Sequence, residues 1–329
     1  MSTSRTTSLW RHSSPILAPL LGLILVVSAA VLWGLVYKPD ASFASTARAA
    51  LVLKQTAIVA TGALGMTLVI AAGGIDLAVG SLLALCSVVM AKSLSVGHSP
   101  VAALALTLGV GLCAGALHGV LVTWGRLVPF IATLGTMLAW RGAAEAVSSQ
   151  KKISAEAPEW LSSLLDPPGA SSWLPVASGV IWVLALALLL AGVLRYTIFG
   201  RRIYAIGSNE AAARLCGVPI TSTKIAVYAL MGCFAALAGV LEFNNLSAQG
   251  NPSSAVGYEL DVIAAVVLGG GSLAGGRGSI SGSMLGALLM TTLRSACVYA
   301  EVADPLQKVL IGAIILIAVA LDRWRDTAR

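Results

Sequence analysis

Apolar residues in this chain gather into long uncharged tracts, and polar residues collect in short segments between them. A helix needs roughly 20 apolar residues to cross a bilayer. About ten tracts approach that length, near 15–37, 55–72, 80–97, 100–123, 128–147, 174–196, 225–246, 259–273, 279–299 and 305–321. They predict an all-α, polytopic helical membrane protein. Two tracts fit less well: 80–97 carries Lys92, and 259–273 is short and closes on glycines. The predicted organisation is a tail over 1–14, a transmembrane unit over 15–321 and a tail over 322–329, with hydrophilic loops at 148–173 and 199–224.

Composition sharpens that picture. The chain is 57% hydrophobic and 11% charged, where soluble domains carry about 25% charged residues. Its 34 glycines suit helices packed through small residues. Gly111, Gly115 and Gly119, and likewise Gly278, Gly282 and Gly286, lie four apart and predict contact faces. The net charge of +7 does not point to nucleic acid, because the basic residues sit between apolar tracts instead of on one exposed face. They report topology instead. With the N-terminus inside, the inner segments hold Arg126, Arg195, Arg201, Arg202, Arg214, Lys224 and Arg277, and the outer ones fewer basic residues, among them Lys38, Lys151 and Lys152. An N-in, C-in arrangement follows. The first tract exceeds the ~7–15 residues of a signal-peptide core, so it reads as an uncleaved span.

The outer loop carries Pro158, Trp160, Pro167, Pro168 and Trp173 and predicts a short interfacial helix followed by a turn. The inner loop contains Ser208-Asn209-Glu210-Ala211-Ala212-Ala213-Arg214-Leu215. Ser208 or Asn209 can cap a short helix there, Glu210 suits its start and Arg214 its end. Gly217 and Pro219 stop it. An exposed helix of about two turns buries little within its own chain and suits docking on a partner.

Candidate chemistry is sparse. Asp76 stands between Gly74 and Gly80 in an apolar setting, where an ionised carboxylate is costly. It caps the third span or shapes a gate, or it touches a substrate. Gly271 and Gly276 imitate the spacing of a phosphate loop, yet Arg277 and Gly278 replace the required Lys and Ser/Thr. The glycines there predict a bent break between membrane helices. Arg141 and Glu145, four apart, form a pair or line a cavity. Arg294 has Glu242, Glu259 or Asp261 as possible partners. His12, His98 and His118 are isolated, and the five cysteines read as small packing residues. Neither a metal, a cofactor nor a catalytic constellation is implied, which sets aside an intramembrane enzyme.

Four stretches carry a family resemblance: "GIDLAVGS" (74–81), "PFIATLGTM" with Arg141-Gly142, "GRRIYAIGSNEAAARLCGV" (200–218) and "YELDVIAAVVLGGGSLAGGRGSISGSMLGA" (258–287). Together they resemble the permease subunit of bacterial ABC sugar importers of the ribose type, over roughly residues 55 to 321. The resemblance implies an inner-membrane subunit surrounded by lipid. Its expected partners are a second permease subunit, a cytosolic ATPase with two fused nucleotide-binding domains and a periplasmic sugar-binding protein. It also implies that Asn209, Glu210, Ala211, Ala212, Arg214, Leu215 and Gly217 form the helix that couples to the ATPase. Four residues separate Ala212 from Gly217 where the commonest motif has three, and no Ile-x-Leu-Pro ending follows. The translocation path or gate is expected near Gly74, Asp76, Gly80, Arg141, Glu145, Glu259 and Asp261. The alternative is an ion-coupled secondary transporter in which Asp76, Glu145, Glu242 or Asp261 carries the ion.

Overall fold

Each apolar tract corresponds to a helix in the computed structural model, which describes residues 6–37, 42–166 and 176–327. The elements in order are α1 Thr6–Tyr37, α2 Thr46–Ala71, α3 Val79–Ser95, α4 Pro100–Thr123, α5 Pro129–Ser148, β1 Ile153–Ser154, α6 Glu159–Ser162, α7 Ser178–Tyr196, α8 Ile198–Ser208, α9 Glu210–Leu215, α10 Ile220–Asn245, β2 Gln249–Gly250, α11 Tyr258–Leu268, α12 Ile280–Tyr299 and α13 Asp304–Thr327. Among the described residues, five stretches are long and apolar enough to cross a membrane: Pro19–Tyr37, Thr46–Ala71, Pro100–Thr123, Ser178–Tyr196 and Ile220–Asn245.

The core sits around α2, which is buried almost continuously from Thr56 to Ala71. Helix α10 packs along α4, α2 and α3. The α4–α10 crossing depends on small residues. A Cβ at Gly115 would stand 2.9 Å from Gly232 N, and one at Gly119 would stand 2.6 Å from Ile225 Cα. Only hydrogen fits there, so the stripe at 111, 115 and 119 is a contact face. The second stripe is a contact face at two of its three positions. Gly282 and Gly286 meet Gly269 and Ala265, whereas Gly278 has ordinary contact distances.

Several boundaries differ from the expectation. Helix α2 begins at Thr46, nine residues before 55, because Ser45 Oγ accepts the Arg48 N–H at 3.3 Å. The Arg48 guanidinium then lies over the Tyr299 ring, 4.5 Å from its centroid. The tract at 259–273 is only an eleven-residue helix, α11. At 1.5 Å per residue it reaches about 16 Å, half a bilayer. The chain enters it by a re-entrant path: Gly250 packs on Val88 and Ala91 of α3, and Ala255 and Tyr258 reach Gly80 at the far end of that helix. The loop between α5 and α7 contains the single-turn α6 and a two-residue ladder pairing Ile153 with Gly250 and Ser154 with Gln249. Helix α1 already includes Thr6, and α13 runs to Thr327. Residues 1–5, Lys38, Pro167, Pro168, Trp173 and Arg329 lie outside the described residues.

Candidate functional site

The predicted site residues fall into three groups. The first is helix α9. Asn209, not Ser208, is its N-cap, accepting the Ala212 N–H at 2.9 Å. Gly217 ends it at φ +75°, a conformation that favours glycine. Glu210 is bound within the chain: Lys224 Nζ of α10 donates to it at 2.6 Å and Arg214 at 3.1 Å. The Lys224 hydrogen bond, more than any other influence, holds the Glu210 carboxyl below its ordinary range. Glu210 is thus a clamp holding α9 against α10. Ala213 turns inward with Ile206 and Ile220, while Ala211, Ala212 and Leu215 face out, Leu215 at 90% exposure.

Helix α9 is attached through α8, an amphipathic element the sequence reading did not find. Ile203 and Ile206 of α8 are buried and Arg201 is exposed. Its 3.6-residue pattern was legible in "GRRIYAIGS" but hidden by the arginines. Tyr204 Oη donates to Gly278 O at 2.8 Å. Gly207 lies against Ala71 O and Gly276 N, and Gly276 N–H itself donates to Ala71 O at 3.1 Å. The end of α2, the end of α8 and the loop between α11 and α12 therefore meet backbone to backbone. In that loop Ser272 N–H also donates to Arg277 O at 3.2 Å. These amides are engaged by carbonyls, so the stretch is an interhelical junction and not a phosphate cradle.

The second group surrounds Asp76, which is 1% exposed in the connection between α2 and α3. Its Oδ1 accepts the Ala78 N–H at 2.8 Å, and its Oδ2 lies 3.0 Å from His118 Nδ1 on α4. Ala78 is itself the N-cap of α3, so the carboxylate ties the connection before the helix instead of capping its first turn. His118 is fully buried and receives the Trp140 indole N–H of α5 at its Nε2, 2.9 Å away. The sequence reading of an isolated histidine is therefore wrong. The 42 positions between Asp76 and His118 carry no local signal of the contact. Gly74 allows the Tyr228 hydroxyl close approach, since a Cβ would stand 2.5 Å from it.

The third group lies on the re-entrant segment before α11. Arg141 does not pair with Glu145; its Nη1 donates to Pro252 O and to Ser254 O, the latter at 2.8 Å. The non-helical segment leaves these two carbonyls free to accept, and they lie within reach of the guanidinium. Glu145 and Glu259 remain near enough to act on its charge. A Cβ on Gly80 would stand 2.5 Å from Glu259 Oε2, so Gly80 and Glu259 belong to the same group. Asp261 does not join it, because its Oδ1 pairs with Arg294 at 3.0 Å. Beside Arg141 the α5 surface is open: Ile131, Leu134, Gly135, Leu138 and Gly142 are exposed. Elsewhere the five cysteines are free, with Cys86 and Cys297 buried but Cys113 and Cys216 exposed, so packing accounts for only some of them.

A helical bundle with a half-length helix, a re-entrant segment and a docked external helix defines a polytopic membrane protein built around a broken-helix site. The chain belongs to the family described as branched-chain amino acid transport system / permease component, which it matches over residues 48–319. It is 41% identical to the ribose import permease protein RbsC of Escherichia coli K12 over 276 residues, covering 84% of this chain and 85% of that one. The ribose import permease protein RbsC of Bacillus subtilis 168 is 40% identical over 318 residues, covering 94% and 93%. The fructose import permease protein FrcC of Rhizobium meliloti is 35% identical over 318 residues, covering 95% and 86%. No solved structure matches the chain.

Proposed function

We propose that this chain is the membrane permease subunit of an ATP-driven importer for a monosaccharide or related polyol, working in the bacterial inner membrane. The observation that carries the reading is α9: a helix fixed to α10 and α8 by charge and packing, with Ala211, Ala212 and Leu215 left open. A rigid exposed helix is what a cytosolic ATPase can push. Sugar is the cargo favoured by the ribose and fructose import permeases among the relatives. A periplasmic binding protein would deliver it.

The path fits the open α5 face and the re-entrant segment before α11. Arg141 is twelve residues into α5, about 18 Å along the helix and deep within a bilayer. A partly exposed guanidinium at that depth is unsuited to lipid and suited to a hydrated cavity. A second permease subunit facing α5 would close the other side. ATP binding would draw two docked α9 helices together, and the junction at Ala71, Gly207 and Gly276 would carry that motion to the broken helices.

The test is Ala212→Arg. Overpacking costs ~1–3 kcal/mol and an unpaired buried charge adds more, together a loss of roughly tenfold or more in complex occupancy. The variant is expected to insert normally but to lose co-purification of the ATPase and sugar uptake. Normal uptake by Ala212→Arg would overturn the importer reading. The ion-coupled alternative, favoured by the buried Asp76–His118 pair, would then be the better account.

A further inference from the structure

The hydrogen bonds running from Trp140 through His118 to Asp76 fix where the protons are. An indole N–H can only donate, so His118 Nε2 must accept from Trp140. The proton of the neutral ring is then on Nδ1, facing Asp76 Oδ2 at 3.0 Å. If Asp76 held a proton and gave it to Nδ1, the ring's own proton would have to sit on Nε2, against the indole N–H. Both bonds together therefore select an ionised Asp76 and a neutral His118. The second carboxylate oxygen is occupied by the Ala78 N–H. The contact of Asp76 with His118 is thus a hydrogen bond to a neutral ring, so fixed dipoles hold this buried charge. Tyr228 of α10 presents its ring to the edge of His118 at a centroid distance of 6.5 Å. On α3, Cys86 meets α4 at Thr107, about three helical turns from His118.

We propose that His118 is a positioning residue that acts through Asp76. It supplies the donor that keeps the carboxylate ionised, and it receives Trp140, so that α5 is fastened to the α2–α3 connection. Thr133 of α5 reaches the same connection, with Oγ1 3.4 Å from Ile75 O. One position beyond Trp140, Arg141 grips the re-entrant segment. These contacts tie the α2–α3 connection, α5 and the re-entrant segment together. The proposal deepens the transport reading and rests on it for its meaning, but its chemistry can be tested without transport.

The chain has three histidines, so 15N-histidine NMR of the full-length protein in lipid nanodiscs can be assigned with a His118→Asn sample. The expected spectrum shows His118 neutral and protonated on Nδ1. A ring protonated on Nε2, or an imidazolium, would overturn the proposal. Hydrogen exchange supplies the second arm. His118→Leu removes the donor and is expected to raise exchange at least tenfold across 73–78 and in α5. Adding Asp76→Asn removes the charge that needed the donor, and exchange at 73–78 should return to within about threefold of wild type. Failure of that rescue would reduce His118 to packing. Because His118→Leu could fail to fold, His118→Asn provides a milder variant: its amide can donate to Asp76 but cannot reach the indole. It should loosen α5 and leave 73–78 unchanged, and equal loosening of both would count against the proposal. A chain that assembles with no ATPase would defeat the importer reading while these results stood.

Discussion

Arg141 and Glu210 show how a charged side chain in this protein is defined by its partner. Arg141 is bound to two carbonyls of the segment that dips toward Gly80. A hydrogen bond to a charged group is worth ~1.5–3 kcal/mol. Arg141→Met keeps the aliphatic stem and removes both donors, so exchange across 251–257 should rise by roughly thirtyfold, the equivalent of about 2 kcal/mol. An unchanged segment would show that its path is held by packing alone. Glu210 makes a prediction with a defined sign. Its folded carboxyl is depressed, chiefly by Lys224, so its contribution is present above the ordinary glutamate range of about 4.3. That contribution is lost as pH falls through the lower folded value. Glu210 is the more exposed partner, at 43% against 18% for Lys224, and the pair is worth at most ~1 kcal/mol. Exchange in α9 should therefore be insensitive to this pair between pH 6 and 8 and rise under acid. Glu210→Gln should show the raised exchange already at neutral pH. A Gln variant identical to wild type at pH 7 would remove the clamp from the account.

Among the elements, α8 and α9 matter most because they join the exposed surface to the broken helices. The join is made by backbone approach, which side-chain chemistry cannot reproduce. Gly207→Ala would place a methyl 2.5 Å from Gly276 N and closer still to Ala71 O. Something must shift, at a cost of ~1–3 kcal/mol. Gly192 of α7 is the control: a Cβ there meets nothing within 4 Å, and alanine favours helix by about 1 kcal/mol. Gly207→Ala is expected to raise exchange in both α8 and the 272–278 loop, while Gly192→Ala leaves them unchanged. Equal effects at both sites would mean that the junction carries no special constraint. Helix α11 is the other decisive element. Its apolar run continues into Gly269 and Gly270, where φ reaches +87° at Gly270, and Gly269 instead docks against Gly282.

On the scale of the molecule, α10 provides a ruler. Ser222 is exposed near its first turn. Asn244, near its last turn, binds the α6 segment by donating to Leu161 O at 2.9 Å and accepting from Leu165 N–H at 3.0 Å. Ser222 and Asn244 are twenty-two positions apart, about 33 Å along the helix axis and comparable to the ~30 Å hydrocarbon thickness. Single cysteines at Ser162 and Ser222, in a background lacking the five native cysteines, should label from opposite faces. Ser162→Cys should react from outside and Ser222→Cys only after permeabilisation. Reaction of both from one face would refute the proposed topology.

The sequence by itself determined the helical membrane class, the order of the long apolar helices, the contact face at 111, 115 and 119 and the capped helix at 210–215. These depend on composition and on neighbours within four residues, where burial, capping and glycine spacing leave local marks. Tertiary structure alone decided the partners of the charges. Asp76 meets His118 across 42 positions and Arg141 meets Ser254 across 113, while Arg294 takes Asp261 in preference to Glu242 and Glu259. It also decided that the run from Tyr258 stops at half a bilayer and where α8 docks. A buried polar group requires a partner, but its side-chain chemistry leaves the choice among donors and acceptors open. That choice is made by which helices pack together, and packing between distant segments leaves no local trace in the chain.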